Sequence, residues 1–218
     1  MREALVFSDV QAILQEIGKI MDENKDFLCK LDGALGDGDI GLTMSNGLRA
    51  VNDHLRASTQ NDIGKALMSS ALEMGEAVAS TMGTLMSSAL FRAGKAIQGK
   101  TELSSSEVIV LFQAMVQGLK ERGKANVGDK TILDSLVPAV EAMEAALNEG
   151  KSLGQIMLAA TEAAEKGAKQ TIEMQSRHGR AGRYLERSIG HQDPGATVGA
   201  LFVKGFSDGV TARLNSVD

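Results

Sequence analysis

Apolar residues recur at helical spacing along almost the whole chain, and this periodicity restricts the fold more than any other feature. In the first segment the residues of one helical face are apolar: Val10, Ile13, Leu14, Ile17, Ile20 and Met21. Ser8 is a good N-cap for that helix. The 218 residues include only two prolines, so few helices are expected to be interrupted.

The same pattern predicts eight helices of about 15 to 22 residues each and no strand. Short connectors make successive helices antiparallel neighbours. We therefore expect an all-α fold, an eight-helix antiparallel up-and-down barrel or bundle, with residues 1–218 forming a single domain. The predicted helices are 8–27, 41–55, a third from about 61 through Met74, 81–97, 107–122, 131–147, 153–174 and 193–214.

Charge and composition exclude several classes of function. The formal net charge is -5 and Lys and Arg form no basic stripe, so we expect no nucleic-acid partner. The sequence has no run of about 18 apolar residues, so we expect no membrane span. The first eight residues do not resemble a secretory signal, and one cysteine rules out an intrachain disulfide. Both features favour the reducing cytoplasm.

Three aspartates, Asp32, Asp37 and Asp39, lie within eight residues of a glycine-rich stretch. Two unit charges about 4 Å apart repel by about 4 kcal/mol at an effective dielectric constant of about 20. A cation would relieve this repulsion, and carboxylates without nearby histidine or thiol suit Mg²⁺ or Ca²⁺. Asp-Gly is also a common turn signal, so a plain loop remains an equal alternative at this point. An EF-hand is excluded, because Leu48 occupies the twelfth position where a glutamate is needed.

The loop at residues 176–193 is rich in arginine, with Arg177, Arg180, Arg183 and Arg187 inside eleven positions. Loops longer than about 15 residues in compact domains are usually lids or binding loops, or are disordered. The planar guanidinium group suits phosphate, because it donates two parallel hydrogen bonds. A solvated cationic loop is the alternative, although an acidic metal cluster nearby would favour a phosphate site.

Two other segments match phosphate-binding motifs without the required context. Residues 94–101 fit G-x4-G-K-T, but a helix precedes them and a loop follows, whereas a P-loop needs a strand before the motif. Residues 36–41 fit G-x-G-x-x-G, but no parallel sheet is predicted around them. We reject both a P-loop and a Rossmann interpretation.

Three segments together resemble the nucleotide-binding L subunit, or DhaL type, of the dihydroxyacetone kinase family, over nearly the whole chain. The first is the aspartate cluster at Asp32, Asp37 and Asp39. The second is residues 128–134, which read Gly-Asp-Lys-Thr-Ile-Leu-Asp. The third runs from Gly179 to Thr197 and is long and specific. This resemblance implies an eight-helix barrel with a nucleotide site at one end.

The resemblance also implies roles for individual residues. Asp32, Asp37 and Asp39 would hold two Mg²⁺ ions that bridge the phosphates of ADP or ATP, and these aspartates and Arg180 would carry the catalysis. The remaining nucleotide contacts would come from the start of the fourth helix, the adenine pocket and the start of the last helix: Ser80, Thr81, Gly83, Gly123, Ile132, Asp193 and Pro194. Residues 176–193 would form the lid.

Two positions depart from the family pattern. Ile40 stands where many members have histidine, and Met82 stands where the phosphate loop commonly has serine. The proposed metal ligands and Arg180 remain, so we expect nucleotide binding to survive. The contacts at residues 80–83 and the identity of the sugar stay open.

The resemblance implies a phosphotransferase that acts with partners. The short-chain ketose would be held on a separate K subunit, and ADP would be rephosphorylated in place by a phosphotransferase-system protein. The alternatives are an ATP-dependent kinase subunit for another small sugar such as erythrulose, and a nucleotide-bound regulatory subunit. A plain helical scaffold is disfavoured, because it has no use for clustered carboxylates. A homodimer is left open.

Overall fold

The computed structural model describes residues 4–215 of the chain. Residues 1–3, part of the segment in which we expect no secretory signal, and residues 216–218 lie outside the described residues. The described part contains nine α-helices and one short pair of strands. The helices are α1 (Phe7–Glu23), α2 (Lys25–Gly33), α3 (Ile40–Ala57), α4 (Ile63–Ala77), α5 (Thr81–Ala96), α6 (Ser105–Gly123), α7 (Leu133–Asn148), α8 (Leu153–Gln170) and α9 (Pro194–Asn215).

Eight of these helices form a closed ring, so the all-α barrel expected from the periodicity is confirmed. When α2 is left out, each helix packs on the next one along the chain, so that α1 packs on α3 and so on to α9. Helix α9 then packs on α1 and closes the ring. The short helix α2 lies outside this ring order and packs mainly on α3. The barrel interior is filled with aliphatic, methionine and alanine side chains, and Phe112 makes edge-to-face contacts with Phe202 and Phe206.

The seam between α1 and α9 is close because α9 presents glycine to α1 at two positions one turn apart. A Cβ added to Gly205 would lie 2.8 Å from the Cα of Ile17. A Cβ added to Gly209 would lie 2.9 Å from the Cα of Ile13. Only glycine allows the two backbones to approach this closely, and the approach closes the barrel.

Several predicted boundaries differ from the structure. The first predicted helix is divided at Asn24, whose backbone N–H and side-chain amide both donate to the Ile20 carbonyl, at 3.1 and 2.8 Å. Ser8 is not the N-cap of α1, because the helix begins one residue earlier and Asp9 accepts the Val6 amide instead. The helix predicted to end at 174 ends at Gln170 and continues as a 3₁₀ turn, Thr171–Glu173.

One helix start and one element also differ from the prediction. Helix α6 begins at Ser105, two residues before the predicted start, behind a capping box formed by Ser104 and Glu107. Gly94 lies in α5 and Gly99 in the turn that follows, which agrees with the rejection of a P-loop there. The short antiparallel pair of β1 (Leu5–Val6) and β2 (Glu102–Leu103) was not predicted, since two-residue strands carry no periodicity. Within the described residues no helix is long and apolar enough to cross a membrane.

Candidate functional site

Four interhelical connections meet at one end of the barrel. They are residues 34–39, 78–80, 124–132 and 171–193. They meet there because the helices alternate in direction, so every second connection returns to the same end. All four connections line one cavity of about 630 Å³, to which they contribute Asp37, Ser80, Thr131 and Arg180 among others. The fold thus gathers at one mouth residues that are far apart in sequence.

The three aspartates singled out from the sequence form a cluster at this mouth. Asp32 lies in the last turn of α2, Asp37 in the following loop, and Asp39 directly before α3. One carboxylate oxygen from each lies within 4.8 Å of those of the other two. The Asp39 backbone N–H donates to Oδ2 of Asp32 at 3.1 Å, which ties the two ends of the loop together.

The cluster is electrostatically crowded. Partial burial raises the pKa of Asp39, and the neighbouring carboxylates of Asp37 and then Asp32 raise this pKa further, against the opposing effect of Arg180. A bound divalent cation would remove this repulsion. Three hard oxygen donors at this separation, in part exposed to solvent, fit magnesium.

Close packing of α2 on α3 holds the cluster in place. A Cβ added to Gly41 in the first turn of α3 would lie 2.1 Å from the Lys25 carbonyl oxygen and 2.9 Å from Sγ of Cys29. Glycine is therefore required at this position for the two helices to meet. This contact holds the first turn of α3 against α2, and Asp39 directly precedes that turn.

The lid at residues 176–193 covers the mouth and carries Arg180 to the cluster. Nη2 of Arg180 lies 2.8 Å from Oδ2 of Asp37. The lid includes a distorted 3₁₀ segment, Ala181–Ser188, with Leu185 at a φ of 51°. Arg183 also lines the cavity, whereas Arg187 lies over the Tyr184 ring at 5.7 Å. Of the four arginines, Arg180 is the one that pairs with the aspartate cluster, and its expected contact with phosphate stays a prediction.

The start of α5 forms another wall of the cavity. Ser80 and Thr81 line it, and Oγ of Ser80 caps α5 by accepting the Gly83 N–H at 3.0 Å. The buried Thr43 hydroxyl donates to the same Oγ at 3.2 Å. Gly83 itself does not line the cavity. A Cβ there would lie 2.6 Å from a methyl group of Val78, so Gly83 acts on this wall through packing.

A second cavity of about 770 Å³ adjoins the first and shares Ser80, Thr81 and Ile132 with it. Arg122, Gly123 and His178 also line it, and aliphatic side chains form much of its wall: Leu85, Leu119, Ile132 and Leu133. The two cavities together form a groove that is charged at one end and apolar at the other. Gly123 and Ile132 both line this second cavity, and the adenine-binding role that the family resemblance implies for them stays a prediction.

Asp193 and Pro194 form the floor of the first cavity at the start of α9. Oδ2 of Asp193 accepts the Ala196 N–H at 2.7 Å, as an N-cap does, and its own N–H donates to Oγ1 of Thr171 at 2.9 Å. Burial raises the pKa of Asp193 to about 7. The hydrogen bonds that Asp193 accepts and the nearby Lys130 oppose this shift only in part.

Sequence reasoning missed the part of the site that supports the lid. Asp129 accepts the Asn126 N–H at 2.8 Å and pairs with Arg177 and His178 of the lid, and these contacts lower the pKa of Asp129. Lys130 and Thr131 line the first cavity. Asp134 accepts the N–H groups of Gly128 and Thr131 at 2.6 and 2.7 Å. The segment 128–134 was part of the family resemblance, but the contacts of Asp129 with the lid join residues about 50 positions apart, and the sequence assigned them no role.

Comparisons with known proteins agree with this arrangement. The DAK2 domain family matches residues 34–208. The ADP-binding subunit DhaL of the PEP-dependent dihydroxyacetone kinase of Escherichia coli is 38% identical over 184 residues, which cover 84% of this chain and 88% of that protein. The DhaL subunit of dihydroxyacetone kinase 2 of Listeria innocua is 33% identical, over 84% of this chain and 86% of that protein.

Solved structures show the same fold. The dihydroxyacetone kinase of C. freundii matches with a TM-score of 0.72 and 24% identity, over 91% of this chain and 34% of that longer one. A second crystal structure of that kinase, in complex with AMP-PNP and Mg²⁺, matches with a TM-score of 0.71. The extent of the DAK2 match and the identity to separate DhaL subunits together show that the chain belongs to the DAK2 domain family, in its DhaL-type dihydroxyacetone kinase branch.

Proposed function

We propose that this chain is the ADP- or ATP-binding, magnesium-dependent subunit of a dihydroxyacetone-type kinase. It would transfer a phosphoryl group to a short-chain ketose held on a partner K subunit. The observation that carries the proposal is the contact of Arg180 with a cluster of three carboxylates at the mouth of a long groove. Carboxylates that can bind a cation, beside an arginine that can bind phosphate, are parts that phosphoryl transfer requires.

The polarity of the groove favours one orientation for the nucleotide in our proposal. The base would lie in the apolar cavity near Gly123 and Ile132, and the phosphates would lie between the carboxylates, Ser80, Thr81 and Arg180. Asp193 and Pro194 would lie below the phosphates. The N-terminal ends of α5 and α9 both border this region, and helix N-termini favour anions.

Asp32, Asp37 and Asp39 would hold magnesium, as two ions in our proposal. Magnesium, when bound, neutralises charge on the phosphates. The protein supplies position and charge: Arg180 stabilises the transferred group, and the lid excludes water from the mouth. The partner subunit would bind the acceptor and activate its hydroxyl.

The partners follow from the relatives. E. coli DhaL is named as a subunit of a PEP-dependent kinase, so we propose that a phosphotransferase-system protein rephosphorylates bound ADP here. The cognate K subunit would close over the mouth, and we place this reaction in the cytoplasm. Dihydroxyacetone is the proposed acceptor, because separate DhaL subunits of dihydroxyacetone kinases match over most of their length. A homodimer is a further proposal that the binding experiment can test.

Native mass spectrometry of the purified chain, with and without EDTA, tests the proposal. We expect a mass increment of one ADP with two Mg²⁺ that is lost on chelation. The same spectra report whether the chain is a monomer or a dimer. The absence of nucleotide uptake under every metal condition would overturn the kinase proposal and favour a regulatory subunit.

The phosphoryl donor is decided in a second assay. The chain is mixed with a K subunit and dihydroxyacetone, and turnover is followed with PEP plus the phosphotransferase proteins or with ATP alone. We expect turnover only with PEP and tightly held ADP. Turnover with ATP alone, together with free exchange of the nucleotide, would contradict this donor assignment while leaving the nucleotide site intact.

A further inference from the structure

The lid leaves the barrel through a narrow neck. The Gly190 N–H donates to the Ile172 carbonyl at 2.7 Å, and the Ser176 N–H donates to Oγ of Ser188 at 2.8 Å. Both Ser176 and Ser188 are buried. The segment between them is therefore a loop with a closed base, of the Ω type.

Lys130 binds both sides of this neck from outside the lid. Its Nζ donates to the Met174 carbonyl at 3.0 Å and to the Ser188 carbonyl at 2.6 Å. The residue is 2% exposed, so this ammonium group is removed from water. One side chain from the α6–α7 connection thus joins the entry and the exit of the lid.

Two features of Lys130 are energetically unfavourable, and the folded structure keeps both. Lys130 has a φ of 62°, a left-handed conformation that is unfavourable for residues other than glycine. Burial also lowers the pKa of Lys130, which Asp193 offsets only in part. Conformations and buried charges of this kind persist where the surrounding structure fixes them, and they concentrate at functional sites.

The residue before Lys130 holds the lid as well. Oδ1 of Asp129 lies 3.4 Å from Nη1 of Arg177, and Oδ2 lies 3.3 Å from Nε2 of His178. The Asp129 carbonyl accepts the Arg177 N–H at 3.2 Å. Arg180 lies two residues beyond His178, so the 129–130 pair holds the arm of the lid on which Arg180 is carried.

We propose that Lys130 is a positioning residue: by closing the neck of the lid, it places Arg180 over the carboxylate cluster. The closure of the neck by Lys130 follows from its hydrogen bonds to the Met174 and Ser188 carbonyls. The part that concerns Arg180 and the phosphates rests on the proposed function. The two parts are tested separately.

The neck is tested by lid protection in the full chain, with Lys130→Met compared with Lys124→Met. Lys124 is the matched control, since it is exposed and has a φ of 52° but has no assigned contact in the site. Trypsin cleavage after Arg177, Arg180, Arg183 and Arg187 and hydrogen exchange at Ser176 and Gly190 are followed by mass spectrometry. We expect lid cleavage to be about tenfold faster or more in Lys130→Met and unchanged in Lys124→Met.

A second variant tests the neck independently, in case Lys130→Met does not fold. Ser188→Ala removes the acceptor of the Ser176 N–H without touching the buried charge. It should also speed lid cleavage, while circular dichroism shows an intact helical barrel. Lid protection equal to that of the wild type in both folded variants would overturn the inference.

The action through Arg180 is tested by a double-mutant cycle on Mg-ADP affinity. We expect Lys130→Met and Arg180→Ala each to weaken binding by about tenfold or more, and the double variant to bind about as weakly as Arg180→Ala alone. A role in stability alone would give independent, multiplying effects and would overturn the positioning role. Failure of the wild-type chain to take up Mg-ADP would instead overturn the proposed function, and with it the Arg180 part, whereas lid protection still decides the neck.

Discussion

Arg180 of the lid and Asp37 of the carboxylate cluster form an ion pair, with Nη2 lying 2.8 Å from Oδ2. The pair links the last long connection of the barrel to the first one at the site end. Both side chains are substantially exposed, so the pair itself contributes little to stability. Its importance lies in bringing the guanidinium to the place where we propose that phosphates bind.

Replacing Arg180 should weaken nucleotide binding with little effect on folding. We expect Arg180→Ala to reduce Mg-ADP affinity by about tenfold to a hundredfold, because charge-assisted bonds to phosphate are lost, and Arg180→Lys to recover part of it. Isothermal titration calorimetry measures the change. Arg187→Ala is the control, since Arg187 lies over Tyr184 and lines neither cavity. Equal losses in the two alanine variants would contradict a specific role for Arg180.

The carboxylate cluster should be a compromise between function and stability. Asp39→Asn removes one of three mutually repelling charges, so in EDTA we expect its melting temperature to rise by about one to a few degrees. In excess Mg²⁺ the variant should gain less stability than the wild type, because one metal ligand is weakened. Thermal melts with and without metal give both values.

Asp26→Asn is the matched control for this experiment, because Asp26 is an exposed carboxylate on α2 outside the cluster. It should change neither the melting temperature in EDTA nor the gain on adding Mg²⁺. If Asp39→Asn keeps the full gain with Mg²⁺, the cluster is not the metal site.

Asp193 should make the protein less stable as the pH rises towards neutral. Its pKa is about 7 in the folded chain and 3.8 in the unfolded chain, so between these values the folded state holds a proton that the unfolded state has lost. Stability therefore falls as pH increases across this window and is level above it, by up to about 4 kcal/mol in all. Asp193→Asn should remove this component.

Urea unfolding at several pH values between 4.5 and 8 measures the effect as a difference between the wild type and Asp193→Asn. Subtracting the two curves cancels the contributions of the other carboxylates. Asp208→Asn, a change at an exposed ion pair with Lys204 further along α9, should leave the wild-type pH dependence unchanged. Parallel curves for the wild type and Asp193→Asn would show that Asp193 titrates normally.

Two glycines on either side of the aspartate loop should respond oppositely to alanine. Gly41→Ala places a methyl group against the Lys25 backbone and should destabilise the chain by about 1 to 3 kcal/mol, with loss of Mg-ADP affinity. At Gly33 a Cβ meets only ordinary contacts, at 3.7 Å. Gly33→Ala should therefore be neutral or stabilise α2 by about 0.4 to 1 kcal/mol. Denaturant midpoints that shift equally for both would refute the packing argument.

The sequence predicted the barrel because each long helix carries a continuous apolar face, and such faces can be read locally. It did not predict the break at Asn24, because the apolar pattern continues past this residue and does not show that the Asn24 side chain also binds the Ile20 carbonyl. The spacing of apolar residues predicts a helix reliably where burial of one helical face determines the structure.

The residues of the candidate site also differ in how well the sequence alone could predict them. Asp32, Asp37 and Asp39 are close in sequence, so their clustering could be expected, and the structure brings them together. The role of Lys130 could not be read locally, because its acceptors lie 44 and 58 residues further along the chain. Gly83 was expected at the nucleotide, but the structure gives it a packing contact with Val78, which residue type alone does not reveal.

The seam between α1 and α9 has a consequence for how this domain can be joined to others. Asp9 near the start of α1 pairs with Arg213 near the end of α9. The 22 residues of α9 extend about 33 Å from the lid end of the barrel. Both ends of the described chain therefore emerge together on the side away from the groove. Additional polypeptide can be attached at either end without obstructing the mouth, which makes the barrel an easily fused module.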